Sequence, residues 1–345
     1  MRIEGGKTDQ MSIRVPLAAL AVLILVLGLA ACGGGGNSTV SESTEATSDP
    51  IKAVSDSTET IPLYFNPENQ RVTLTIGSKN FPESEILAEI YAQALAAAGF
   101  KVKTALGLGS ETIARKAVRT GQISGYPEYA STALTSFFGF KPEEVPSDAL
   151  AAKEKANAEF LKEGLQTFAP TPFASANAVG TTRETAEKYG LKTISDLKGV
   201  SEKLSLYGSP ECRQRIDCLA GLEKLYGLKF KSFNPVDIGL RYTVLEKGEA
   251  DLSILFTTDP QLAAESSKFV ILKDDKKVFP AGNVIFVHKR ATAWEAGSGL
   301  ELTIQAVQEG LTVKVMQELN ARVELEKETP EAAAKAYLES AGYVG

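Results

Sequence analysis

The chain has 345 residues, 43 % of them hydrophobic and 23 % charged, with a formal net charge of −6. This length accommodates two globular domains, and an acidic chain without a basic stripe offers no footprint for nucleic-acid phosphates. A single histidine, His288, and three cysteines leave little for metal chemistry, so neither metal nor cofactor is expected. At the N-terminus, Arg14 precedes an apolar run at residues 15–31, followed by Cys32 and four glycines. A basic start, a short apolar core and small residues at the end make a secretory leader, and the run is marginal for a membrane span.

The ending Leu29-Ala30-Ala31-Cys32 resembles a bacterial lipobox. That resemblance implies a lipoprotein signal peptide at 1–31, cleavage before Cys32 and a diacylated thiol. Two acyl chains suffice for stable membrane anchoring. Met11 is an alternative start to Met1. Residues 33–60 are dominated by Gly, Ser, Thr, Asp and Glu and cannot bury enough surface to fold. Residues 32–70 are therefore expected to be a flexible tether, with packing beginning over 61–69, and the folded body to span 71–345.

Within the body, alternation at Val72, Leu74 and Ile76 predicts a strand. Pro82 suits the first turn of a helix with Ile86, Leu87, Ile90, Tyr91 and Leu95 inward, stopped by Gly99. A strand at 101–106 precedes a helix capped by Ser110, with Ile113, Ala114, Ala117 and Val118 inward. Residues 125–134 read GYPEYASTAL. Pro127 pushes Tyr126 towards extended angles, and Ser131 is a candidate N-cap. The expectation is a strand before this stretch, a sharp turn within it, and then a helix start. Aromatic faces beside free N–H groups suit a small molecule with a cationic and an anionic end. A turn whose tyrosines simply pack the surface is the plainer alternative.

A helix is expected over 147–164. Strands follow at 177–181, 204–207, 229–233, 252–256, 269–272 and 284–287, with helices at 183–189 and 238–247 and a helical C-terminus. Strand–helix alternation implies α/β architecture with mostly parallel sheets and ligands at the strand C-termini. The simplest arrangement is two lobes, 71–176 plus 283–345 and 177–282, joined by two crossover segments near Ala178 and Gly282. A single large doubly wound domain is the alternative. Cys212 and Cys218 flank five residues, and in an exported protein they are expected to form a disulfide that shapes Arg213 and Arg215. No Gly-x-Ser-x-Gly is present, and Gly107-Leu108-Gly109-Ser110 lacks the lysine of a phosphate loop, so no enzyme is indicated.

The segments IGSKNFPESEILAEIYAQALAAAGF, ARKAVRTGQISGYPEYASTAL, QRIDCLAGLEKLYGLKF, LFTTD and KVFPAGN occur in this order. Together with the ending LNARVELEKETPEAAAKAYLESAGY, they resemble the quaternary-amine substrate-binding proteins of ABC importers, whose ligands include glycine betaine, carnitine and choline. The resemblance covers about 71–345. It implies a type II periplasmic-binding-protein fold with the ligand in the interlobe cleft, and permease and ATPase partners. It also implies a lipid-anchored place on the extracytoplasmic side of the cell membrane.

The family's carboxylate clamp falls on Lys79, Thr132 and Arg215, a lysine, a hydroxyl and a guanidinium suited to an anion. Of its aromatic box, Tyr129 and Phe256 are kept. Ala178 and Gly282 stand where relatives have rings. At about 0.5–2 kcal/mol per ring, two lost rings weaken binding about ten- to a thousandfold. Tyr126, Phe81 and Tyr242 are candidates to compensate. The expected ligand is a carboxylate-bearing quaternary amine such as glycine betaine, or a larger or amino-acid-like betaine. Choline, lacking the carboxylate, is expected to bind weakly. A sensor domain and an exported enzyme on the same fold are the alternatives. The first would need a signalling partner, and the second a nucleophile or base in the cleft.

Overall fold

Two β-sheets carry the fold of residues 62–345, the part described by the computed structural model. The leader, Cys32 and the tether as far as residue 61 lie outside the described residues. Residues 62–70, assigned to the tether, are seated on the body. The Leu63 N–H donates to the Tyr343 carbonyl at 3.0 Å, and the buried Asn69 amide donates to the Ala98 carbonyl at 2.8 Å.

The chain begins with β1 (Thr73–Gly77), α1 (Pro82–Ala97), β2 (Lys101–Ala105), α2 (Glu111–Thr120) and β3 (Gly125–Tyr129). Pro82 opens α1 with Glu83 and Glu85 in its first turn, where the helix dipole favours them. The expected apolar stripe from Ile86 to Leu95 is buried. The helix ends where Gly99 takes φ 101°, with the Asn66 carbonyl oxygen 2.5 Å from where a Cβ would sit. Only glycine fits there. In α2, Ala114, Ala117 and Val118 are buried, but Ile113 is 49 % exposed, contrary to expectation. It lies about 100° round the helix from Ala114, off the core-facing stripe.

After α3 (Ala149–Leu161), β4 (Leu165–Thr167) and β5 (Ala174–Ser175), the chain crosses to the second sheet. There it forms β6 (Asn177–Thr182), α4 (Arg183–Tyr189), β7 (Ser205–Gly208), β8 (Ser232–Pro235), α5 (Arg241–Glu246), β9 (Leu252–Phe256) and β10 (Phe269–Ile271). It returns as β11 (Gly282–Lys289) and finishes in α6 (Ser298–Glu309), α7 (Val313–Glu324) and α8 (Pro330–Ser340). The first sheet runs β2-β1-β3-β11-β4, with β5 also on β11, and the second runs β10-β6-β9-β7-β8. Both are mixed rather than mostly parallel, because β11 returns antiparallel to β3, β4 and β5, and β6 runs antiparallel to β9 and β10. Each sheet is covered on both faces. On β11, Val284 and Phe286 enter one core, and Ile285 and Val287 enter another, the period of two expected of a central strand.

Residues 125–134 depart from expectation. Gly125–Tyr129 is itself a strand, with all five residues buried. The helix begins at Ala130, so Ser131 lies inside it and caps nothing. Pro127 is tolerated because β1 pairs with β3 only at Gly125, so the missing N–H falls beyond the parallel ladder. The helix widens into a π-turn over Ala133–Phe137.

Candidate functional site

Strand β1 leads into Lys79-Asn80-Phe81, β3 ends at Tyr129, and β9 ends at Phe256. These three ends, with the first turn of α2 and the disulfide loop after β7, enclose a cavity of about 90 Å³ between the two sheets. Lys79, Tyr129, Thr132, Arg215 and Phe256, all expected at the site, lie on its wall. Cys212 and Cys218 are bonded, with Cα atoms 5.1 Å apart, and their loop carries Arg215.

Tyr126, Ala178 and Gly282 do not line the cavity. Successive strand residues alternate faces, so Tyr126 points into the core opposite Tyr129, where its hydroxyl donates to Glu128 Oε2 at 3.1 Å. Ala178 pairs with Leu255 and faces away, whereas its neighbour Asn177, opposite Phe256, faces the cavity. Gly282 packs on the helix after β3: a Cβ there would sit 2.2 Å from Ser131 Oγ. It is a close-approach glycine and not simply a vacated ring position. Tyr242 is also off the wall, donating to Asp259 at 3.1 Å. Phe81 is on the wall, with ring centroids 6.3 Å from Tyr129 and 5.7 Å from Phe256, and Phe279 also lines the cavity.

The rings already carry the protein's own cations. Lys79 Nζ is 4.5 Å from the Tyr129 centroid and 5.4 Å from that of Phe81. The Arg241 guanidinium is 4.1 Å from the Phe256 centroid. Each cation also has a carboxylate. Lys79 Nζ is 2.5 Å from Glu128 Oε1, both side chains being buried. Arg241 donates to Asp259 at 2.9 Å. Arg215 forks onto Asp217, Nε to Oδ1 at 2.8 Å and Nη2 to Oδ2 at 2.7 Å, and its Nη1 is 3.6 Å from Glu111. Burial disfavours both charges of the Arg215–Asp217 pair, but their attraction wins: the arginine pKa is raised and the aspartate pKa lowered.

Glu83, in the first turn of α1, accepts from the Tyr129 hydroxyl and from Asn320 Nδ2, the latter at 2.8 Å. Burial raises its pKa despite these donors. Burial, and next to it the Glu83 charge, raise the Tyr129 pKa as well, so Tyr129 stays a neutral donor. Sequence reasoning missed Glu111, Glu128, Asp217, Arg241 and Phe279. Glu128, Asp217 and Phe279 lie inside the segments that carried the resemblance, and only their charges or rings could have drawn notice. Glu111 and Arg241 have no sequence signal, since the fold brings their partners from 104 and 18 residues away.

Two lobes, two crossings and a cavity with aromatic and charged walls define the class of two-lobed solute-binding proteins. Residues 72–340 match the family described as the substrate binding domain of ABC-type glycine betaine transport system, and the chain belongs to it. Among its relatives is the glycine-betaine-binding protein of Pseudomonas aeruginosa, 34 % identical over 78 % of this chain and 88 % of that protein. The ergothioneine transport permease/ergothioneine binding protein of Helicobacter pylori is 30 % identical over 81 % of this chain, which spans half its length. A crystal structure of a glycine betaine/carnitine/choline ABC transporter protein has TM-score 0.62 and 28 % identity, covering 78 % of this chain and 99 % of that one. The chain is thus the extracytoplasmic substrate-binding component of an ABC importer, working with permease and ATPase subunits. Members of the family are binding proteins, not enzymes.

Proposed function

We propose that the solute is a quaternary amine of the betaine type. Its ammonium would lie against Phe81, Tyr129 and Phe256, and its carboxylate would reach towards Lys79, Thr132 and Arg215. One observation carries this reading: three rings and three donors for an anion converge on one small cavity. Those rings already attract ammonium and guanidinium groups within the protein, as a cation-binding wall must. The name of the Pseudomonas aeruginosa relative supports the same ligand class. A larger betaine is the second reading, favoured by Asn177, which puts a polar side chain on the wall opposite Phe256.

Titration calorimetry with glycine betaine, proline betaine, carnitine, choline and ergothioneine tests this. Saturable binding of at least one of the four carboxylate-bearing compounds, tighter than that of choline, supports it; no heat and no thermal shift with all five, or choline bound tightest, rejects it. The lobe limits 71–176 plus 283–345 and 177–282 belong to the same proposal. We also propose that diacylated Cys32 holds the protein at the extracytoplasmic face of the cell membrane, on the strength of Leu29-Ala30-Ala31-Cys32. A Cys32→Ala variant is expected to leave the membrane fraction, and retention there rejects the anchor.

A further inference from the structure

Glu111 occupies the first position of α2 and is only 6 % exposed. The Ser136 hydroxyl donates to its Oε1 at 2.9 Å, fixing that oxygen 3.6 Å from Arg215 Nη1 across the cleft. Arg215 is already forked by Asp217, and Lys79 is already paired with Glu128. The cluster on which the proposed carboxylate clamp depends therefore holds two cations and three buried carboxylates. Glu111 supplies the charge in excess. Among the described residues it is the carboxylate within ion-pair distance of Arg215 from the opposite lobe, and it makes no direct hydrogen bond to it.

From this arrangement we infer that Glu111 is a specificity-determining residue that competes with a ligand carboxylate for Arg215. This rests on the quaternary-amine reading above. A ligand carboxylate entering beside Arg215 meets Glu111 as a like charge in a poorly solvated place, where repulsion is strong. A ligand with a cation and no carboxylate instead offsets the excess charge. Glu111 therefore narrows the advantage that the Lys79–Thr132–Arg215 donors give to zwitterionic betaines over choline. When no ligand carboxylate is present, the same Glu111–Arg215 attraction draws the two lobes together.

The test uses glycine betaine and choline, which share a trimethylammonium and differ in the carboxylate. Both are titrated calorimetrically into the wild-type protein, Glu111→Gln and Glu111→Asp. Glu111→Gln is expected to shift the ratio of the two Kd values towards glycine betaine by about tenfold or more, mainly by weakening choline. Glu111→Asp keeps the charge and is expected to keep the wild-type ratio within about threefold. Ser136→Ala releases the Glu111 carboxylate without removing it. It should move the ratio in the Gln direction by a smaller factor, and it serves if Glu111→Gln fails to fold. A ratio unmoved in both Glu111→Gln and Ser136→Ala, in a protein that binds either ligand, overturns the inference alone. A wild-type protein that binds no quaternary amine overturns the reading beneath it, and the inference with it.

Discussion

The hydroxyl of Thr135, in the π-turn after β3, donates to Asp217 Oδ2 of the disulfide loop at 2.8 Å. Thr135 follows β3 of the first sheet and Asp217 follows β7 of the second, so the bond ties the two sheet units together across the cavity. The same hydroxyl lies 2.9 Å from the Ser131 carbonyl, so one proton serves two acceptors. Thr135→Val removes the proton and keeps the shape. A hydrogen bond to a charged group contributes about 1.5–3 kcal/mol, and sharing lowers the share due to Asp217. Ligand affinity is expected to fall about tenfold, and the unliganded protein to show a larger radius of gyration by small-angle scattering. An unchanged radius and affinity would refute the bridge.

Arg215 is the cation that Asp217 and Glu111 share. Arg215→Ala leaves both buried carboxylates without it, and breaking a buried pair by removing one partner costs about 3–5 kcal/mol. A large fall in melting temperature is expected, with loss of calorimetric binding. The double variant Arg215→Ala, Asp217→Asn should regain much of the stability and none of the binding, which separates folding from recognition. Binding that survives in the single variant would reject the assignment of this cleft.

Much of this fold was legible because its signals are local. Pro82, Glu83 and Glu85 announce α1, alternation announces β1 to within a residue, and the short apolar run 252–256 marks β9 at its observed limits. Gly125–Tyr129 was misread for a tertiary reason. Pro127 and two tyrosines suggest a turn in isolation, and only the partner strand β11, over 150 residues later, makes them a strand. The same limit applies to the site. Lys79, Tyr129, Thr132, Arg215 and Phe256 sit within recognisable segments. Ala178 was placed at the site by the resemblance alone; strand phase turns it away and puts its neighbour Asn177 on the wall, since adjacent strand residues face opposite sides. The carboxylates that neutralise Lys79 and Arg215 became visible only when β3, α2 and the disulfide loop were brought together.

The contact between Gly282 and Ser131 gives a test of the packing behind the cavity wall. In Gly282→Ala the new methyl would lie 2.2 Å from Ser131 Oγ and 3.0 Å from the Ser131 backbone nitrogen. The hydroxyl can rotate away but the nitrogen cannot. Overpacking of this kind costs about 1–3 kcal/mol. Ser131→Gly in the same chain is expected to recover part of that loss, giving a favourable coupling in a double-mutant cycle read by urea denaturation. Additive effects of the two substitutions would mean that the contact is not what excludes a side chain at 282.

His288, on β11, contributes to the expected acid sensitivity of the fold. It is the single histidine of the chain and is fully buried. Its ring centroid is 4.2 Å from that of Phe168. Nδ1–H donates to the Lys289 carbonyl at 2.9 Å, which leaves Nε2 as a lone pair with no partner among the described residues. Protonating Nε2 would place a cation among aromatic rings, and burial lowers the pKa to about 4. The unfolded chain binds that proton near pH 6.5. Because the folded pKa is the lower one, this contribution is complete above about pH 6.5 and is lost as pH falls towards 4, a change of about 3 kcal/mol. Glu83 and Glu324, whose pKa values burial raises, act in the opposite sense and gain stability as pH falls. Their effect is common to wild type and variant, so comparison with His288→Asn isolates the histidine. That variant keeps a donor for the Lys289 carbonyl and loses the titrating ring. Its stability deficit relative to wild type, from urea denaturation, should shrink by about 2–3 kcal/mol between pH 7.5 and 4.5. The His288 ring resonance should hold its neutral shift down to about pH 4, and a midpoint near pH 6.5 would show that the ring is solvated and the argument wrong.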